Sequence, residues 1–203
     1  MAGTQNHYDG VFQRHVSARR REVGVRDVTE WAEPLAAGST ILDLGCGDGV
    51  PISEALMNAG FEVFGVDSSP KMIAAFRANL PGATAECAAI QDSAFFGRSF
   101  DAVVAWGVMF FLSTADQETV IAKVARALNP GGRFLFTAPI PMVTWEDTFA
   151  GVTFPCVSLG AENYTRLMRE HGLTLVDEHS DPWENDYYIA TKAEATPPRT
   201  DPR

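Results

Sequence analysis

Apolar and polar positions follow two alternating rhythms along the chain. Thr40-Ile41-Leu42-Asp43-Leu44 is a short, nearly continuous apolar run that stops at Gly45, the pattern of a buried strand. Pro51 suits the first turn of a helix that continues from Ile52 until Gly60 caps it. The alternation repeats: a strand over 61–66, a helix over 70–79 stopped by Pro81 and Gly82, and strands over 83–88 and 100–106. Val120, Ile121, Val124, Ala127 and Leu128 then form one apolar stripe of an amphipathic helix, with Thr114-x-x-Gln117 as a capping box. Asn129-Pro130-Gly131-Gly132 ends that helix and a fifth strand covers 133–137.

Upstream, residues 8–21 predict a helix with Tyr8, Phe12, His15 and Val16 on one face, and a second helix covers 26–35. After Pro141 the rhythm changes. Residues 142–159 carry Trp145, Phe149 and Phe154 and read as an irregular segment or a hairpin over the sheet's C-terminal edge. A helix over 164–171 is capped by Gly172, and 173–178 with 187–190 form a final antiparallel pair. The stretch 193–203, rich in Pro, Thr and charge, predicts a disordered tail. Strands alternating with helices require crossovers, hence a largely parallel α/β sheet.

A length of 203 residues with 46% hydrophobic positions fits one domain with a substantial core. The net charge of −10 disfavours nucleic acid as a partner, because a phosphate backbone repels it. The basic run Arg19-Arg20-Arg21 reads as a solvated helix face. Three cysteines, Cys46, Cys87 and Cys156, offer no zinc spacing, and no motif requires a metal. No apolar run approaches the roughly 20 residues that span a bilayer, and the start lacks a signal-peptide stretch. The expectation is a cytoplasmic protein, a monomer or homodimer, with no membrane partner.

Chemistry begins at Asp43-Leu44-Gly45-Cys46-Gly47-Asp48-Gly49. A glycine-rich turn after the first strand lets a cofactor approach the main chain where the strand order reverses. Asp67 closes the second strand about 20 residues later, where an acid can accept both hydroxyls of a ribose. NAD is disfavoured: Val50 stands where the dinucleotide fingerprint has its third glycine, and the Asp48 carboxylate repels a pyrophosphate. Asp43, on the strand, can approach a cationic ligand. An acidic loop suits a cofactor with an amine and no phosphate.

In four stretches the chain resembles the class I S-adenosylmethionine-dependent methyltransferases, especially the small bacterial type acting on small molecules. They are residues 41–49 around Asp43, 66–72 around Asp67, 99–104 around Asp101, and 128–134 around Pro130 and Gly131. The resemblance implies a doubly wound Rossmann-like sheet of seven strands, mostly parallel with an antiparallel last strand, and helices on both faces. It implies S-adenosyl-L-methionine as cofactor and S-adenosyl-L-homocysteine as product. Gly45 and Gly47 would pack under the methionine part, with Cys46 as a small residue of the turn. Asp43 would lie near the amino group, Asp67 at the ribose, and Ser68 and Met72 beside the adenine. Trp106 would lend its main chain near the amino acid end. The family often places an acid beside the adenine after the third strand. This chain reads Ala89-Ile90-Gln91-Asp92 there, so Ile90 and Gln91, or Asp92, are the positions for that contact. Residues 1–34 would form a helical lid, 35–140 the cofactor-binding core and 141–192 the acceptor-side elements of a single domain over 1–192.

The acceptor is expected above the same sheet edge. Aromatic residues gather in the segments predicted there: Tyr8 and Phe12 in the lid, Met109, Phe110 and Phe111 after the fourth strand, Trp145, and Trp183, Tyr187 and Tyr188 near the end. They predict a pocket for an apolar or planar small molecule. His7 and His15 in the lid are the candidate bases, and Glu146 and Asp147 are further candidate contacts. Asp101 and Arg133 read as structural. The expected reaction is in-line methyl transfer to O, N or S of a small molecule. The alternatives are a non-catalytic sensor or regulator that binds the cofactor, and a methyltransferase with a protein acceptor.

Overall fold

The computed structural model describes residues 22–149 and 151–194. The predicted first helix with His7, Tyr8, Phe12 and His15, and the predicted tail from residue 195, lie outside the described residues. The elements are α1 (Val25–Ala32), β1 (Thr40–Leu44), α2 (Ile52–Asn58), β2 (Glu62–Asp67), α3 (Pro70–Asn79), β3 (Thr84–Cys87), β4 (Phe100–Ala105), α4 (Thr114–Ala127), β5 (Leu128–Thr137), β6 (Val143–Phe149), β7 (Val152–Ser158), α5 (Ala161–Glu170), β8 (Leu173–Ser180) and β9 (Asp186–Lys192). Seven strands form one sheet in the order β3-β2-β1-β4-β5-β9-β8. β1 pairs in parallel with β2 and β4, as do β2 with β3 and β4 with β5; β9 runs antiparallel to both neighbours. The chain winds outward from β1 in both directions, so the β1–β4 boundary is the switch point where the crossovers diverge.

Strand side chains alternate between two cores. Ile41, Val63, Ala102, Val104, Leu135 and Tyr187 face α1 and α2, where Val28, Trp31 and Leu56 cover them. Leu42, Leu44, Phe64, Val103, Phe134 and Tyr188 face α4 and α5, beneath Val120, Val124, Tyr164 and Met168. Phe96 of the β3–β4 connection helps cover this second face: its ring and that of Phe100 on β4 stand edge-on to Phe64 at 5.3 and 5.4 Å.

Two local expectations change, and one of the two readings of residues 142–159, the hairpin, is selected. The cap of α4 is Ser113, whose Oγ accepts from Asp116 N at 3.2 Å and contacts the Asp116 carboxylate at 2.7 Å. The cap pair is therefore Ser113 and Asp116, one residue earlier than the expected Thr114-x-x-Gln117 box, with the Asp116 carboxylate accepting from the Ser113 hydroxyl. Gln117 is buried instead: its Nε2 donates to Leu112 O and Val157 O, and its Oε1 accepts from the Tyr164 hydroxyl at 2.6 Å. Residues 142–159 form a hairpin: β6 and β7 pair antiparallel as a separate two-stranded sheet. Residues 129–132 loop out of the β4–β5 ladder, whose register jumps between Phe100 and Ala102. Asp101 accepts from Thr40 N at 2.8 Å and Asn129 Nδ2 at 2.8 Å, which ties that loop to the starts of β1 and β4, far from the C-terminal edge.

Candidate functional site

β1 and β2 deliver Asp43 and Asp67 to the C-terminal edge on either side of a tightly turned loop. The amides of Gly45 and Cys46 both donate to Val66 O, at 2.8 and 3.2 Å, which bends the chain back over β2. Gly45 has φ +73°, and a Cβ there would stand 2.6 Å from a Val108 methyl, so only glycine fits. Gly47 differs. Its φ is +55°, but among the described residues a Cβ would meet only Met72 Sδ at 3.8 Å, so none of them fills the space the main chain faces. The two oxygens of Asp67 divide their work: one accepts from Gly47 N at 3.0 Å, the other from Ser69 N at 2.8 Å. Ser69 in turn caps α3 by accepting from Met72 N. The acid thus joins the glycine loop to the start of α3.

Asp43 is 4% exposed and accepts a 2.6 Å hydrogen bond from Ser53 Oγ on α2. Burial pushes its carboxyl up to about 7; the Ser53 bond opposes the shift and the Asp67 charge adds to it. A carboxylate so placed gains from a neighbouring cation. Burial, with Asp43 and Asp67 adding, also pushes the Cys46 thiol well up, which keeps it uncharged. Asp48 is buried: Oδ1 accepts from Val50 N, and its carbonyl accepts from Asn79 Nδ2 at 3.0 Å.

The rim continues through the segment after β3. Ala88 N donates to Asp67 O at 3.0 Å, and the amides of Asp92 and Ser93 both turn back to Ala89 O. Within this turn the Ile90 side chain is 6% exposed and belongs to the core, Gln91 is half-buried and Asp92 is exposed. Ser68 is half-buried beside Asp67, and Met72 is buried behind the loop. Sequence reasoning missed the group that holds the turn. Lys123 Nζ of α4 donates to Gln91 O at 2.7 Å, Ser93 O at 2.5 Å and Ile90 O at 3.3 Å. Desolvation lowers the Lys123 pKa.

The aromatic residues expected around an acceptor fall into three groups. Phe110, Phe111 and Trp145 are partly buried and pack with Phe154 and Cys156 beneath the β6–β7 hairpin, the Phe110 and Trp145 rings 5.7 Å apart. Met109, Tyr187 and Tyr188 are fully enclosed; Tyr188 stacks on Phe136 at 4.8 Å. Tyr187 is a link as well. Its hydroxyl accepts from Trp106 Nε1 at 3.1 Å and donates to Asp181 at 3.1 Å, and burial pushes its pKa up. Trp183 is 48% exposed on the β8–β9 turn that Asp181 organises by accepting from Trp183 N and Asn185 N. Trp106 also packs so tightly on Gly24 that a Cβ there would lie 2.6 Å from the indole. Glu146 and Asp147 are exposed on the hairpin.

His171 is exposed, while His179 stacks on Tyr187 at 5.0 Å and contacts Asp177 and Asp27. A groove of about 450 Å3 opens between the hairpin and α5, bordered by Met142, Val143, Val157, Leu159 and Arg166. Among the described residues no group of three or more His, Cys, Asp or Glu is arranged to hold a metal. No helix among them is long and apolar enough to cross a membrane.

Residues 41–132 match the family model described as a methyltransferase domain. The chain is 33% identical over 152 residues to an uncharacterized methyltransferase of Synechocystis sp., covering 71% of each chain. It is 37% identical over 112 residues to the ubiquinone biosynthesis O-methyltransferase of Methylobacterium sp., a match to 53% of this chain and 43% of that relative. Among solved structures, the 1,6-didemethyltoxoflavin-N1-methyltransferase of Burkholderia thailandensis shares the fold: TM-score 0.74, covering 94% of this chain and 87% of that one at 17% identity.

Proposed function

This chain belongs to the class I S-adenosylmethionine-dependent methyltransferase family, and from that premise we propose that it methylates O, N or S of a small, apolar or aromatic molecule. One observation carries the cofactor part of the reading. Among the described residues nothing but Met72 lies near a Cβ placed at Gly47, whose amide is held by Asp67, and Asp43 reaches the same edge from the neighbouring strand. That donor set fits a cofactor with a ribose diol and an amine and without phosphate.

Bound S-adenosylmethionine supplies a methyl group made electrophilic by its sulfonium. The residues do the rest by placement. Gly45, Cys46 and Gly47 let the main chain lie against the methionine part. Asp43 balances the ammonium charge. Asp67, held in place by two amides, accepts from the ribose hydroxyls. Ser68, Met72, Ile90 and Gln91 border the adenine, the last two through the main chain of their turn. Trp106 presents its main chain beside the amino acid end, its indole fixed by Tyr187 and Gly24.

On the acceptor side, Phe110, Phe111 and Trp145 offer one apolar wall and Trp183 a separate exposed ring on the β8–β9 turn, while Met109 and Tyr188 in one core and Tyr187 in the other stiffen the edge from within. Tyr8 and Phe12 are proposed as further acceptor contacts, and His7 or His15 as the base where the acceptor must lose a proton. Positioning supplies much of the rate in such a displacement, as effective molarities lower bimolecular barriers by roughly 7–11 kcal/mol. The acceptor class is supported by two relatives, a ubiquinone biosynthesis O-methyltransferase and a 1,6-didemethyltoxoflavin-N1-methyltransferase.

The test is incubation with S-adenosylmethionine and a panel of small phenols, amines, thiols and carboxylates, read by mass spectrometry. A product heavier by one methylene unit and equimolar S-adenosylhomocysteine are expected. Cofactor binding without product from any panel member would contradict the small-molecule reading and favour a sensor or a protein acceptor.

A further inference from the structure

The β3–β4 connection carries no long helix to satisfy its own carbonyls, and it crosses the sheet face against α4. Three of its carbonyls, at Ile90, Gln91 and Ser93, converge on one side chain from an element 30 or more residues away, Lys123. An ammonium has three hydrogens and no acceptor, so three carbonyls match its capacity. The ammonium also lies 4.7 Å from the Phe95 ring centroid, over a ring face that attracts a cation. Ser93 is held from its other side: its Oγ donates to Glu86 at 2.7 Å and accepts from Phe95 N. The same turn starts at Ala88, whose amide is bonded to Asp67 O. It is therefore anchored at one end to the proposed ribose acid and at the other to Lys123.

We propose that Lys123 is a positioning residue for base recognition: its ammonium, by gathering the carbonyls of Ile90, Gln91 and Ser93, fixes the main chain of the 89–92 turn against the adenine of the cofactor. This rests on the reading that the turn borders the adenine. Ala89 has no side chain long enough to reach the base, so recognition here depends on main-chain position and on Gln91 or Asp92. A main-chain contact is only as selective as the turn is rigid. Lys123 itself does not touch the cofactor; it takes up only carbonyls, while Ala89 O holds the amides of Asp92 and Ser93 and the half-buried Gln91 side chain is left to the ligand side of the turn.

The test compares S-adenosylhomocysteine with S-inosylhomocysteine, which differ only at the base edge, by isothermal titration into wild type, Lys123→Met and Lys123→Arg. Wild type is expected to prefer the adenine compound. In K123M that preference falls by about tenfold or more, because the turn no longer holds one position. K123R, which keeps the charge but not the three-point geometry, falls between. Hydrogen exchange of the amides at 92–95 is expected to speed up in unliganded K123M. An unchanged base preference in a folded K123M, or equal weakening of both ligands, overturns the proposal and leaves Lys123 a structural staple. If K123M does not fold, the same reading is taken from K123R. Absence of binding by wild type would instead overturn the cofactor reading, which keeps the two failures distinct.

Discussion

The two halves of the C-terminal edge are built by different means. On the β1–β2 side, the geometry is set largely by the main chain: Gly45, Cys46, Gly47 and Ser69 donate amides to fixed acceptors, and a few short polar side chains, Asp67, Ser69, Asp43 with Ser53, and Asp48, hold it together with the absent side chain at Gly45. On the β5–β9 side, shape comes from large side chains meeting across elements distant in sequence. Phe110 meets Trp145, Trp106 meets Tyr187, and Tyr164 meets Gln117. A main-chain cradle tolerates almost no variation in its few positions. A wall of packed rings can be rebuilt with other rings. The first half therefore suits a group common to a whole family, and the second an acceptor that changes from member to member.

The contrast is sharpest at Asp67. Asp67→Ala is expected to weaken S-adenosylhomocysteine by at least about 100-fold, since two hydrogen bonds to a charged group are lost and the loop loses two acceptors. Titration calorimetry checks it, and a tenfold or smaller effect would place the ribose elsewhere. Next in size is a paired glycine test. Gly45→Ala costs roughly 1–3 kcal/mol through the left-handed backbone and the Val108 clash, a melting temperature lower by about 4–10 °C. Gly47→Ala has room for its methyl group and costs only the backbone term, about 1–2 kcal/mol, yet it fills the open face and abolishes binding. Equal binding by wild type and G47A would mean that the cofactor does not lie there.

Asp43 gives a pH test whose sign is fixed. Its folded pKa is raised from 3.8 to about 7, so the folded chain keeps a proton that the unfolded chain loses between those values. Stability from this group is therefore lost as pH rises from 3.8 through 7 and is level above. Asp43→Asn removes the dependence, so its melting temperature gains on wild type from pH 5 to pH 8. Ligand affinity runs the other way. An ammonium favours ionised Asp43, and wild-type affinity for S-adenosylhomocysteine rises by about tenfold between pH 6 and 8, while D43N stays flat. The smallest stability effect is expected on the other half. Trp183→Ala, at an exposed turn position, changes stability by less than about 0.5 kcal/mol but raises the acceptor KM several-fold with the cofactor KM unchanged. A shift in the cofactor KM instead would erase the division between the halves.

This division also explains what the chain revealed before folding. β1 and α3 begin and end where the apolar run, Pro70 and Pro81 place them, because their signals are local. The glycine loop and Asp67 are equally local, carried by spacing within one βαβ unit. Gln117 was misleading because a capping glutamine and a buried one look alike in sequence; only Tyr164, Leu112 and Val157 distinguish them. Lys123 has no sequence signal beyond lying next to an apolar stripe, since its three carbonyls arrive through tertiary structure. The adjacent Tyr187 and Tyr188 look like two pocket residues, but strand alternation sends them into opposite cores.

The most direct test of the cofactor site is isothermal titration of S-adenosylhomocysteine, with NAD as control, into wild type and Asp67→Ala at pH 8. The account predicts one saturable site for S-adenosylhomocysteine in wild type, none for NAD, and loss of that site in D67A. Binding of NAD, or S-adenosylhomocysteine binding that D67A leaves intact, would contradict it.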